Sequence, residues 1–171
     1  DHQAWEKHLH SLGITAPRHV QLSTEGALLS SALSHGLSPD MVILSDDAGQ
    51  FKILVHALCW VHAERLINKL LGFNDEQRAA VAGVRDQIWK LYQDLKLYKQ
   101  SPGASLRAAI EVKFSEIFTQ QTCFETLNQA LARLNNKKSE LLRVLDSPMI
   151  PLHNNACETD IREAVTKNLE A

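Results

Sequence analysis

Met41-Val-Ile-Leu-Ser-Asp-Asp47 is the stretch on which the fold turns. Met41 to Leu44 form a short continuous apolar run, the pattern of a buried strand, and Ser45, Asp46 and Asp47 follow at once. A strand that runs out into carboxylates puts oxygen donors at the rim of a sheet, and two such acids from distant segments can hold a hard divalent cation. Acids after a strand are also ordinary turn formers. The pair therefore gains chemical meaning only with a second acid from elsewhere in the chain.

Upstream of this run the chain mixes short elements. Residues 2–12 space Trp5, Leu9 and Leu12 as a helix would, with Gly13 as the stop signal. A short extended stretch is expected around Arg18 to Leu22. A helix from about Thr24 to His35 follows, capped by Ser23 or Thr24, with Gly36 just past its end. Ser38-Pro39-Asp40 reads as a turn.

Downstream, from about residue 62, the pattern is helical almost throughout. Asn74 with Gln77 is a capping-box start, and Val81, Val84, Ile88, Leu91 and Leu95 keep the rhythm of one apolar helix face. Ser101-Pro102-Gly103 breaks that helix, and Leu106, Ile110, Phe114 and Ile117 repeat the rhythm on the next. Thr122 with Glu125 is read as another capping box, opening a helix through Phe124, Leu127, Leu131 and Leu134, with a continuation to Leu145 left open. Ser147-Pro148 and Pro151 force an extended passage. A last helix starts near Asn154 or Asn155 and carries Glu158. That acid shares a face with Ile161, Arg162 and Val165, and an acid on a buried face needs a cation or a metal. Asn155 and Glu158 also fit a plain capping box. The chain shows no internal repeat and no low-complexity segment.

Bulk properties narrow the class. The 171 residues are 44% hydrophobic and 22% charged, one globular domain's worth with a real core. No run approaches the ~18 apolar residues of a membrane helix, and Asp1 to His10 lack the apolar centre of a signal peptide. No membrane association is expected. Cys59, Cys123 and Cys157 are odd in number and widely spaced, which fits a reducing cytoplasm rather than a disulfide framework. Eighteen Lys and Arg against twenty Asp and Glu leave a net charge of −2. No field of the whole molecule draws it to nucleic acid. Phosphate binding would rest on local clusters, Lys137, Lys138 and Arg143, or Arg162 and Lys167, whose ordinary reading is a solvated helix face.

Three stretches carry a resemblance. Ile43-Leu-Ser-Asp-Asp-Ala-Gly-Gln-Phe51, His56-Ala-Leu-Cys-Trp-Val-His-Ala-Glu-Arg65 and Ile150-Pro-Leu-His-Asn-Asn-Ala-Cys-Glu-Thr-Asp-Ile-Arg162 stand in one order across roughly residues 20 to 171. Together they resemble the core of insertion sequence 66 family transposases, in which an aspartate follows a core strand, a Cys-Trp-x-His element and a helical insertion come next, and a Pro-Leu-x-Asn-Asn-x-x-Glu element supplies the last acid of an Asp-Asp-Glu triad.

The resemblance implies an architecture that is mostly α with a small β component, a truncated ribonuclease-H-like core (α/β) with a large all-helical insertion. Residues 1–62 would be the partial core with its strand ending at Asp46, 63–147 the insertion, and 148–171 the return to the core with the helix carrying Glu158. It implies Asp46 as the second acid, with Asp47 as the alternative if the register shifts by one, and Glu158 as the third. The cofactor implied is Mg2+ or Mn2+, two ions in the complete parent protein, serving strand cleavage and joining at a phosphodiester. Transposon ends and target DNA are the implied partners, a homo-oligomer the implied assembly, and the bacterial cytoplasm, at the nucleoid, the implied location. No apolar strand followed by an acid precedes Asp46, so the first aspartate is expected outside this chain, which reads as an internal fragment, inactive by itself.

The Cys59 and His62 pair is implied to be a structural element near the active site. Zinc is not expected, because two plausible ligands are not four, although His153, Cys157 or Cys123 would be the candidates to complete such a site. Trp89, Tyr92 and Tyr98 could stack on bases, but Trp89 and Tyr92 adjoin the apolar stripe and read as packing residues. Two rival functions belong to other classes. One is a non-catalytic helical interaction or dimerisation module, read from residues 75–145. The other is a zinc-binding regulator built on His56, Cys59 and His62. Neither accounts for the strand with its two acids together with the Asn-Asn-x-x-Glu element.

Overall fold

The computed structural model describes residues 2–48 and 54–154. The chain divides into two compact units, Asp1–Met41 and Val42–Ala171.

The first unit is a pair of helices, α1 (His2–Ser11) and α2 (Pro17–Ser34). Both end in the same way. Gly13, at φ 75°, lets the Ile14 N–H donate to the Leu9 carbonyl at 2.9 Å, and Gly36, at φ 104°, lets Leu37 do the same to Ala32 at 3.0 Å. Each closes the orphan carbonyls of a helix end with a glycine in the left-handed region. The extended stretch expected at Arg18 to Leu22 is instead helical, and neither Ser23 nor Thr24 is a cap. Pro17 explains the difference, because its fixed φ suits the first helical turn and it holds Ala16 in an extended conformation (φ −67°, ψ 131°). Thr24 therefore sits inside α2, where its hydroxyl donates to the Val20 carbonyl and accepts the Trp5 indole N–H, each at 2.8 Å.

The second unit starts with two short parallel strands, β1 (Val42–Ser45) and β2 (Val55–Leu58), in register from Val42 opposite Val55 to Ser45 opposite Leu58. The strand lies one residue later than the apolar run suggests. Met41 is left 40% exposed, while Ser45 is buried as the last strand residue. Five helices follow: α3 (Trp60–Asn68), α4 (Asp75–Gln100), α5 (Ala104–Thr119), α6 (Glu125–Asn135) and the single turn α7 (Lys138–Leu141), before a 3-10 turn at Arg143–Leu145. Among the described residues the fold is mostly helical with one small parallel sheet, and 75–145 contains no strand. No helix there is long and apolar enough to cross a membrane.

The helical stripes pack as their spacing demands. Val84, Ile88, Leu91 and Leu95 of α4 join Ile110 and Phe114 of α5 and Leu127 and Leu131 of α6 in one core with Trp60 and Ile67 of α3. Asn74 caps α4 by accepting the Gln77 N–H at 2.8 Å, and Gln77 in return accepts the N–H of Phe73 at 2.9 Å. The Thr122 box does not form. Phe124 is the residue before α6, and Asn128 locks the loop by accepting both the N–H and the hydroxyl of Thr122, each at 2.8 Å. Nor does α6 run on to Leu145. Asn135 and Asn136 end it, since asparagine competes for backbone hydrogen bonds outside helices. The short turns that follow bury the adjacent pairs Leu141–Leu142 and Val144–Leu145, which no single helix face could bury together.

The passage after these turns is pinned from several sides. The Tyr98 hydroxyl donates to the Leu145 carbonyl at 2.9 Å. Lys99 donates to the carbonyls of Pro148 and Ile150, and Arg107 to Leu145 and Asp146. The Leu152 carbonyl then accepts the Trp60 N–H at 2.9 Å.

Candidate active site at the strand ends

Parallel pairing puts the C-terminal ends of β1 and β2 side by side, and the backbone ladder continues one step past them, Cys59 N–H donating to the Ser45 carbonyl at 2.9 Å. Beneath the rim, the Ser45 hydroxyl and the His56 Nε2, both buried, share a hydrogen bond of 2.8 Å. Above it, Asp46 and Asp47 open a cleft of about 300 Å3 that also takes in His62 and Arg65 of α3, Lys69 just after that helix, and Arg133 of α6.

The two adjacent aspartates have different surroundings. Asp46 is exposed, and its Oδ1 accepts the Ala48 N–H at 3.2 Å, the self-capped turn common for aspartate. Asp47 adopts φ 75°, a left-handed conformation aspartate tolerates better than most residues. Its Oδ1 lies 2.9 Å from the Lys137 ammonium and its Oδ2 3.6 Å from the Arg133 guanidinium. The Asp47 and Lys137 side chains are only 17% and 18% exposed.

The Cys-Trp-Val-His element divides its labour. Cys59 is buried and precedes the first turn of α3; the Tyr92 phenol is pushed up by burial and then by the electrostatic effect of Cys59. Trp60 fills the core, edge-on to Phe114 at 6.3 Å, with its indole N–H donating to the Leu141 carbonyl at 2.9 Å. His62 lines the cleft, its Nε2 3.2 Å from the Arg65 guanidinium. Among the described residues no three of His, Cys, Asp and Glu gather in a metal-holding group. Glu158, Cys157, Arg162 and Lys167 lie outside the described residues.

The Lys137, Lys138 and Arg143 cluster does not form one phosphate patch. Lys137 serves Asp47, Lys138 donates to the Ser115 hydroxyl at 2.9 Å and lies 5.6 Å over the Phe114 ring, and Arg143 faces Asp146. The basic groups that do reach the cleft, Arg65, Lys69 and Arg133, are ones sequence reasoning passed over. Arg65 and Lys69 are one helical turn apart and could have been found from α3 alone. Arg133 comes from a distant helix, and no local signal points to it. Trp89 and Tyr92 pack edge to face at 5.3 Å, half-buried beside the α4 stripe.

Three motifs distant in sequence are thus tied by backbone hydrogen bonds, Ser45 to Cys59 and Trp60 to Leu152. A family model described as Transposase IS66 family matches residues 36–168, which contain all three. The chain belongs to the IS66 family of transposases. The match begins at Gly36, so α1 and α2 precede it, while this IS66-family chain keeps its strand acids, its Cys-Trp-x-His element and its helical layer inside the matched span. The chain is also 48% identical over 148 residues to the uncharacterized protein y4jO of Sinorhizobium fredii (strain NBRC 101917 / NGR234). That alignment covers 86% of this chain and 46% of the relative, so the chain spans about half of the relative's length. No solved structure matches the chain.

Proposed function

We propose that this chain is the part of a DNA transposase that carries the second and third acids of a metal-dependent phosphoryl-transfer site, Asp46 and Glu158. The observation that carries the reading is the convergence of the three family motifs. The strand bearing Asp46 bonds to the Cys-Trp element, and that element bonds to Leu152, six positions before Glu158. Six residues span up to ~20 Å when extended, enough to return an acid to the cleft.

The donors suit a hard divalent cation, magnesium or manganese. Asp46 offers carboxylate oxygens to an open cleft and has one described hydrogen bond, whereas both oxygens of Asp47 face cations. This favours Asp46 over Asp47 as the ligand. Two divalent ions held there would supply positive charge to the phosphoryl oxygens and acidify an attacking water or 3′-hydroxyl. Asp46 and Glu158 would hold them together with the first acid of the triad, from a further strand of a ribonuclease-H-like core. Arg65, Lys69 and Arg133 would neutralise backbone phosphates at the rim, a local answer to a net charge of −2. In this reading residues 63–147 are the insertion, 1–62 and 148–171 belong to the core, and DNA ends and target are the partners of a homo-oligomer at the nucleoid.

The test is a supercoiled-plasmid cleavage and strand-joining assay with Mg2+ or Mn2+, on this chain and on a form extended upstream. Activity of the extended form that is lost with Asp46→Asn and with Glu158→Gln supports the reading. Cleavage by the present chain that persists in both variants overturns it.

A further inference from the structure

We infer that Asp47 and Lys137 form a positioning clamp by which the helical layer sets the orientation of Asp46 for metal binding; this rests on the reading of Asp46 as a ligand. Asp47 follows Asp46 directly, so whatever fixes the Asp47 backbone fixes the turn that presents Asp46. That backbone is in the left-handed region, at φ 75°, and its N–H reaches back to the Ser45 hydroxyl at 3.4 Å. The turn is therefore held at its strand side by Ser45 and at its far side by the Asp47 carboxylate.

The partner of that carboxylate stands on a rigid support. Lys137 is the residue before α7 and lies 90 positions from Asp47. Its carbonyl accepts the Leu141 N–H at 3.0 Å, and the Leu141 carbonyl accepts the Trp60 indole N–H at 2.9 Å. Trp60 begins α3 directly after Cys59, whose N–H is bonded to Ser45. The loop of contacts runs from Ser45 through Cys59, Trp60, Leu141 and Lys137 to Asp47, and closes around Asp46. The Lys137 side chain is 18% and that of Asp47 17% exposed, and a pair between such partly buried side chains is less screened than one at the open surface. Arg133, 63% exposed and 3.6 Å away, is the looser second arm. Groups that orient a metal ligand without touching the metal typically change metal affinity by ~10- to 100-fold when removed.

The clamp and a direct ligand role for Asp47 predict opposite results for Lys137. A cation beside a true ligand competes with the metal, so its removal would tighten binding. Removing a clamp weakens it. The experiment is Mn2+ binding to the form extended upstream to supply the remaining acid, free Mn2+ being read by electron paramagnetic resonance, with circular dichroism to establish that each variant is folded. The extended form should bind Mn2+ in a manner abolished by Asp46→Asn. Lys137→Met should weaken binding about tenfold, and Lys137→Arg, which keeps the charge, should restore most of it. Asp47→Asn, which tolerates the left-handed turn and still offers an oxygen to Lys137, should lose less than Asp46→Asn does. Unchanged or tighter binding in Lys137→Met, or a loss in Asp47→Asn equal to that in Asp46→Asn, would overturn the clamp while leaving the metal site standing. An upstream-extended form with no Asp46-dependent binding would overturn the metal reading, and the clamp with it. Should Lys137→Met not fold, the Lys137→Arg and Asp47→Asn pair carries the same decision.

Discussion

The helical layer and the strand-end cleft of the same unit are built on different physics. The layer is redundant: α4, α5 and α6 share a core of many apolar side chains, and Ile110, Phe114, Leu127 and Leu131 are wholly buried. Apolar burial is non-directional and adds with area, so one side chain there can be replaced at a cost in stability and little else. The cleft depends on a few directed contacts, such as Ser45 with His56 and Lys137 with Asp47. Directed contacts carry less free energy and more geometry. Stability should therefore reside in the layer and chemistry in the cleft, and each can be perturbed without the other.

The largest expected effect tests that division directly. Asp46→Asn should reduce cleavage by the upstream-extended form by at least ~100-fold, the upper end of the losses seen for groups that merely orient a ligand. The melting temperature should hardly change, because Asp46 is exposed and surface substitutions usually stay within ~0.5 kcal/mol. Comparable losses of activity and stability would break the comparison. Phe114→Ala is the converse. It empties the centre of the aromatic cluster with Trp60 and Phe118 and should cost ~3–5 kcal/mol in denaturant unfolding.

A smaller effect probes the seam between α3 and α4. Glu64 is buried and its carboxylate lies 2.6 Å from Arg85, whose side chain is 36% exposed. Arg85→Ala strands the Glu64 charge. Partial access of water to the arginine brings the expected cost to ~1–3 kcal/mol, below the value for a fully buried pair. Glu64→Gln in the Arg85→Ala background should recover part of that loss, and a double-mutant cycle measures how much.

The smallest effect is in the pH dependence. Burial pushes the Lys99 ammonium below the ordinary lysine range, although it donates to two carbonyls. The folded state then binds that proton less tightly than the unfolded chain does. Stability from this group should rise with pH just below the ordinary lysine value. Tyr92 has the opposite sign, its raised phenol giving stability that is lost as pH climbs above the ordinary tyrosine value. Lys99→Met should remove the rising component and Tyr92→Phe the falling one. If neither variant changes the alkaline slope of the unfolding free energy, the burial account of both groups is wrong.

What could be read from the chain without its fold follows from range. The stripes of α4 and α5, the break at Ser101-Pro102-Gly103, the glycine stops at Gly13 and Gly36 and the strand before Asp46 are encoded within a few residues of where they act. The three motifs also gave the family, because their order and identities survive any packing. Errors came where two local signals competed. Pro17 starts a helix over residues that otherwise read as extended, and the Thr122 hydroxyl goes to Asn128 instead of capping α6. Asp46 and Asp47 are indistinguishable as letters, since both are acids after a strand. Only the tertiary structure separates them: both line the cleft, but Lys137 and Arg133 pair with Asp47 while Asp46 stays exposed. That choice is electrostatic and spans 90 positions of sequence. Spacing rules act within a helical turn or along a strand, so no pattern near Asp47 could have announced its partner.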